Sequence, residues 1–193
     1  MRTIALILPI AVSLCLVSIS TAQKSAKTVE KHPIVILKTN MGTIEITLDA
    51  EKAPLTVGNF LSYVNEGFYD STVFHRVIPK FMIQGGGFTE WNEKKTKLQI
   101  KNEGKNGLSN RRGTIAMART KSVHSATSQF FINLVDNFEL DKVQDYGYAV
   151  FGKVTSGMNV VDKIAGVKTR NYGGSFANSP VKAVIIEAAW VKK

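Results

Sequence analysis

Cysteine is almost absent. Cys15 is the only one in 193 residues, so the chain can form neither an intramolecular disulfide nor a zinc site built on several thiolates, and the fold must hold by packing. Histidine is equally scarce: His32, His75 and His124 lie far apart and no H-E-x-x-H pattern occurs, which argues against a metal centre. Five prolines and the lack of any repeat or low-complexity stretch exclude collagen-like and disordered classes. Acids are outnumbered, 15 Asp and Glu against 25 Lys and Arg, and the formal charge of +10 raises nucleic acid or an anionic surface as a partner. With 44% hydrophobic and 9% aromatic residues the chain can build a sizeable core, and its length allows one domain or at most two small ones.

The first 22 residues read as a secretory signal peptide. Arg2 precedes an apolar run from Ile4 to Ile19, then Ser20, Thr21 and Ala22 lead into a polar stretch at Gln23 and Lys24. The run is short for a spanning helix and no stop-transfer segment follows, so cleavage before Gln23 is expected, with a retained anchor as the alternative. Leu14 is too bulky for the small residue expected before a lipidated cysteine, which weighs against a lipoprotein at Cys15. Removal of the leader takes away the only cysteine, which suits a periplasmic or secreted location. Residues 23–32 are polar and lysine-rich and are expected to form a flexible arm, with one domain over residues 33–193.

Within that domain the periodicities favour strands. Ile34 to Thr39 is aliphatic and Thr43 to Leu48 alternates strictly, and the three-residue Asn40, Met41, Gly42 loop between them predicts a hairpin. Val57, Phe60, Leu61 and Val64 recur at helical spacing after Pro54 and before Gly67, and Val160, Val161 and Ile164 mark a second helix over Met158 to Ala165. Short apolar runs at Val73 to Ile78, Phe81 to Gln84, Thr114 to Ala118, Phe130 to Leu134, Tyr148 to Val154 and Val184 to Trp190 predict further strands. Seven or eight strands with two helices favour a mainly β, closed or sandwiched antiparallel sheet. Glu90 to Asn110 is polar, with five lysines, and reads as a long surface excursion.

Familiar catalytic signatures are missing. Gly85, Gly86 and Gly87 lack the Lys and Ser or Thr of a phosphate-binding loop and instead suggest a sharp bend or close backbone approach, while Ser175 lacks the closing glycine and preceding strand of a nucleophile elbow. The unusual segment is Phe74 to Gly86. Arg76, between apolar neighbours in a strand, needs either a partner or a solvent-lined groove, and an ordinary ion-paired arginine is the plain alternative. Phe81 and Met82 read on spacing as core residues. In the Ser128 to Asn133 cluster, Gln129 and Phe131 share one strand face and Phe130 and Ile132 the other, so one face can be core while the other meets a ligand.

These segments, together with Met117 and Ala118 after Gly113 and Thr114, and Phe151 to Val154, resemble the motif set of the cyclophilin-type peptidyl-prolyl cis-trans isomerases over roughly Pro33 to Val191. Gly86 to Glu90 and Tyr146 to Val150 resemble exported bacterial members most closely. The resemblance implies a closed eight-stranded antiparallel barrel capped by two helices. It implies acceleration of X-Pro bond rotation in exported proteins, with no cofactor and no metal. By the same match Arg76 is the catalytic residue, and Gln84 holds its guanidinium. Phe81, Met82, Phe131 and Leu140 form the proline pocket, Ala118, Arg119 and Gln129 line the groove for preceding residues, and His75 supports the pocket. Phe138, Glu139 and Leu140 stand where many eukaryotic members carry a tryptophan just before the leucine, and Tyr148 where they carry a histidine, which implies weak cyclosporin binding. The implied partners are proline-containing unfolded or partly folded polypeptides, bound by a monomer with no specific nucleic acid and no stable membrane insertion after cleavage. Two other readings stand beside it: a proline-directed binding or chaperone module with incidental turnover, served by the same groove, and a basic protein binding nucleic acid or acidic envelope polymers through Lys94, Lys95, Lys97, Lys101 and Lys105.

Overall fold

The computed structural model describes residues 30–90 and 92–193; the leader expected at residues 1–22, the expected arm as far as residue 29, and Trp91 lie outside the described residues. The chain runs β1 (Ile34–Thr39), β2 (Gly42–Leu48), α1 (Pro54–Asn65), β3 (Thr72–Val73), β4 (Arg76–Ile78), β5 (Met82–Gly85), β6 (Phe88–Thr89) and β7 (Asn92–Glu93). It continues with β8 (Thr114–Met117), β9 (Phe130–Asn133), β10 (Val150–Ser156), α2 (Met158–Ala165), β11 (Thr169–Arg170), β12 (Ser179–Pro180) and β13 (Ile185–Val191). The first hairpin is tighter than its sequence suggests: Gly42 already pairs with Thr39, so the loop holds only Asn40 and Met41.

Nine strands form one antiparallel sheet in the order β3-β13-β1-β2-β10-β8-β9-β5-β4, and β6-β7 and β11-β12 are separate ribbons. The fold is mainly β with two helices, as expected, but the sheet is a curled half-barrel rather than a clear closed ring of eight. Its two ends are β3 and β4, which are separated in the chain only by Phe74 and His75. The run expected over Val73 to Ile78 splits there because the backbone turns to other partners. Phe74 N–H donates to the Val184 carbonyl (2.9 Å) and Val77 N–H to the Asn178 carbonyl (2.8 Å), while β3 pairs with β13 and β4 with β5.

Alternation along the strands decides what is inside. Ile44, Ile46 and Leu48 of β2, Ile83 of β5, Ile115 of β8 and Ile132 of β9 enter the main core, which α1 closes with Val57, Phe60, Tyr63 and Val64 and α2 with Val160, Val161 and Ile164. Phe60, Tyr69 and Phe130 form its aromatic centre, with Phe130 meeting the other two rings edge-on at 5.6 and 5.5 Å.

The segment between β7 and β8 is anchored more firmly than a polar excursion suggests. Ile100 bridges to Ala126, and Glu103 supplies the N-terminal cap that Ala53 cannot. Its carboxylate accepts from Leu55 N–H (3.1 Å), Thr56 N–H (2.8 Å) and the Thr56 hydroxyl (2.7 Å). At the other end of α1, Lys97 bonds Ser62 and Glu66, and its backbone N–H donates to the Tyr63 hydroxyl (2.8 Å). Lys94 lies 4.6 Å over the Phe68 ring and Lys105 4.5 Å over Tyr146, so these lysines hold the segment to its own protein.

Candidate active site

The strand faces that point away from the main core make the site. Direct cross-strand partners share a face, and one row runs Arg76 on β4, Gln84 on β5, Phe131 on β9 and Ala116 on β8. Beside this row Met82, Ala116, Phe131 and Val150 form a second apolar cluster, against which Phe81, Ala118, Leu140 and Tyr148 pack. The Phe130/Phe131 alternation therefore separates the faces: Phe130 and Ile132 fill the core and Phe131 faces the groove.

The groove encloses about 170 Å³ and is lined by Arg76, Phe81, Met82, Gln84, Ala118, Arg119, Phe131, Leu140 and Tyr148. An apolar cavity of ~150 Å³ accepts a benzene ring, so the space suits a small ring such as pyrrolidine. At its polar edge Arg76 Nη1 donates to Gln84 Oε1 (3.3 Å), and Gln84 Nε2 donates to Gln129 Oε1 (2.9 Å). Among the described residues no carboxylate pairs with Arg76. The guanidinium is thus oriented by a neutral amide and keeps its charge for a ligand.

The residues just after Gln84 explain the glycine run. Gly86 has φ +81°, and a Cβ there would lie 2.7 Å from the Phe130 ring; a Cβ on Gly87 would lie 2.5 Å from Cγ of Gln129. Side chains at either position would displace Phe130 or the amide that holds Gln84.

Comparison with known proteins decides the family. The family model for cyclophilin-type peptidyl-prolyl cis-trans isomerases matches residues 34–191. Peptidyl-prolyl cis-trans isomerase A of Dickeya dadantii is 55% identical over 170 residues, covering 87% of this chain and 88% of that protein. Peptidyl-prolyl cis-trans isomerase B of Escherichia coli is 53% identical over 165 residues, covering 83% and 100%. The chain belongs to the cyclophilin-type peptidyl-prolyl cis-trans isomerases. A crystal structure of a Cryptosporidium parvum member has a TM-score of 0.74 at 26% identity, over 84% of this chain and 98% of that one.

In this cyclophilin the groove gathers nine of the residues singled out in the sequence, and two, His75 and Gln129, do not line it. Gln129 meets Gln84 rather than the cavity. His75 is buried against the rings of Phe88 (4.7 Å) and Phe176 (6.1 Å), and its Nδ1 has no hydrogen-bond partner among the described residues. Burial, and after it the Arg76 charge, lower the His75 pKa from 6.5 to about 4 against a smaller opposing pull from the Val73 backbone. The side chain is therefore neutral at pH 7 and puts no second cation beside Arg76.

On the far rim, Leu140 lines the groove while Phe138 is exposed, its ring 5.2 Å from the Arg111 guanidinium. Arg119 wraps the rim loop. It donates to Gln144 Oε1 (2.8 Å) and to the Gly147, Val143 and Thr120 carbonyls, and lies 4.8 Å over the Tyr148 ring. Sequence reasoning gave no role to three buried asparagines beneath this rim, Asn110, Asn133 and Asn137. Asn133 closes the Ser128 to Asn133 cluster, but neither apolar periodicity nor motif spacing marks the other two, because their significance lies only in what they bond.

Proposed function

We propose that Arg76 drives X-Pro rotation by stabilising the twisted amide while the prolyl ring sits among Phe81, Met82, Phe131 and Leu140. Rotation about an amide meets a barrier of about 18–20 kcal/mol because it breaks resonance, and uncatalysed X-Pro bonds take tens of seconds. Twisting makes the prolyl nitrogen pyramidal and restores its lone pair. A fixed cationic donor beside that nitrogen binds the twisted state better than the planar one, which lowers the barrier without making or breaking a bond. The observation that carries this reading is the Arg76–Gln84 pair at the edge of a groove of ring size walled by Phe81, Met82, Phe131 and Leu140, with no carboxylate among the described residues to neutralise the arginine. Gln84 fixes the guanidinium, and the apolar wall excludes water from the charge.

In this reading Ala118 and Arg119 meet the residues before proline, and His75 supports Arg76 from behind. β3 and β4 count as one strand interrupted at Phe74 and His75, which makes the sheet an eight-stranded barrel closed at the edge of the site. The clients are proline-containing polypeptides in the periplasm or outside the cell, reached through cleavage of residues 1–22. The arm at residues 23–32 then precedes a monomeric isomerase domain over 33–193.

Isomerisation of a short X-Pro peptide tests the mechanism. Arg76→Ala should lower kcat/KM by about a hundredfold or more, the loss expected for removing one preorganised transition-state donor. Lysine should rescue poorly, since a point charge cannot keep the planar fork's bond to Gln84 while facing the substrate. A folded Arg76→Ala protein with near-wild-type turnover refutes the assignment.

A further inference from the structure

We infer that Asn137 is a positioning residue that sets the width of the proline pocket. The inference rests on the reading of that groove as the seat of the prolyl ring. Two of its walls come from outside the sheet: Phe81 follows the Pro79–Lys80 turn between β4 and β5, and Leu140 belongs to the short 3-10 turn Phe138–Asp141. Segments of this kind move relative to one another unless something joins them.

Asn137 bonds to both. It is only 3% exposed and stands at the start of the 3-10 turn, yet its side chain does not cap the turn. Both amide hydrogens go elsewhere: Nδ2 donates to the Phe81 carbonyl (2.9 Å) and to Oδ1 of Asn133 (2.8 Å). Its backbone carbonyl accepts from Leu140 N–H (2.9 Å), so this one residue bonds the backbone of both walls, sharing the Phe81 carbonyl with Leu134 N–H (2.9 Å).

Two further asparagines, both fully buried, fix Asn137 in turn. Asn133 Nδ2 donates to Asn110 Oδ1 (3.1 Å) and Thr114 Oγ1 (3.0 Å), and Asn137 N–H donates to the Asn110 carbonyl (2.7 Å). Asn110 Nδ2 donates to Asp141 Oδ1 (2.7 Å) and to the Tyr148 carbonyl (3.4 Å), which carries the network to the remaining rim residue. A buried polar network of this kind is costly if any member is unpaired, and when satisfied it selects one arrangement of the segments it joins. Apolar contacts alone tolerate sliding and would let the gap between Phe81 and Leu140 vary.

The test is ring-size selectivity. kcat/KM is measured on two peptides that differ only in carrying proline or its six-membered homologue pipecolate, for wild type, Asn137→Ala and Glu103→Ala. Glu103 caps α1 through Leu55 and Thr56, neither of which lines the groove, and serves as the control for destabilisation. Wild type should prefer proline. Asn137→Ala should lose roughly tenfold on proline through displaced walls and retain activity on pipecolate, so that the preference shrinks by about the same factor. Glu103→Ala should keep the wild-type ratio. A folded Asn137→Ala protein with an unchanged ratio overturns the inference. If Asn137→Ala does not fold, Asn137→Thr, whose hydroxyl reaches only one of the two acceptors, is put to the same criterion. Wild type that turns over both rings equally instead refutes the pocket reading on which the inference stands.

Discussion

Replacing Glu103 by alanine should cost about 2–3 kcal/mol of stability and leave the chemistry untouched. At the start of α1, Ala53 N–H is bonded to the Asp49 carbonyl (3.0 Å), Pro54 has no N–H, and the Leu55 and Thr56 N–H groups depend on the Glu103 carboxylate. Loss of a cap costs about 1 kcal/mol, and removal of a negative charge from a helix N-terminus another 0.3–1 kcal/mol. The Thr56 hydroxyl, on a fully buried residue, also loses its acceptor, for about 1–3 kcal/mol less whatever water restores. These contributions share one carboxylate and do not add fully, which gives the stated range. For a domain of this size that corresponds to a fall in Tm of about 4–12 °C. Urea denaturation should show a lower midpoint with an unchanged slope, and Glu103→Gln, which keeps an acceptor oxygen, should lose about half as much. Because α1 packs on β13 rather than on the groove, kcat/KM should stay within about twofold of wild type. A change in stability under 0.5 kcal/mol would show that this carboxylate does not hold the helix and that the segment between β7 and β8 is merely laid against it.

His75 should make stability depend on pH. Its folded pKa of about 4 lies below the ordinary 6.5, so between these values the unfolded chain binds a proton that the native chain does not. The native state therefore loses up to about 3 kcal/mol as pH falls from 6.5 to 4, and denaturation of His75→Phe should show a shallower decline over that window; identical slopes would contradict it. Intact mass of the protein recovered from the periplasm or medium should correspond to a chain starting at or within a few residues of Gln23, and a mass retaining residues 1–22 would exclude cleavage.

The residues that gather in the groove were more legible than the framework around them. Arg76 stood out as an arginine between apolar neighbours in a strand and Phe131 by strand alternation, whereas Gln84 entered only through the resemblance, which joined segments that spacing alone leaves apart. Both helices and the long strands were legible from their apolar periods. The division of Val73 to Ile78 into β3 and β4 was not, because it depends on carbonyls of Val184 and Asn178, about a hundred residues away along the chain. The same holds for Glu103. Nothing in a lysine-rich polar stretch announces that one of its acids will meet the bare N-terminus of a helix 47 residues earlier. The asparagine network was hidden for a related reason, since Asn is ordinarily a surface residue and its burial follows from partners that only the tertiary structure supplies.

The pairing of β1 with β13 governs when this protein can fold. β1 lies between β2 and β13, with Val35 opposite Val191 and Lys192 N–H donating to the Ile34 carbonyl (2.8 Å). The first strand of the domain is thus left with an open edge until the last one arrives. A chain emerging N-terminus first can form the β1–β2 hairpin early but cannot complete the sheet until β13 is released. Sheets dominated by such distant pairings fold in milliseconds to seconds rather than microseconds. During synthesis the chain consequently stays unfinished, and an exposed strand edge in that interval is open to a chaperone or to another copy of itself. The same adjacency brings the two ends of the domain side by side, so a short linker between them, with new termini cut in an exposed loop, would give a permuted chain whose sheet no longer waits for its last strand.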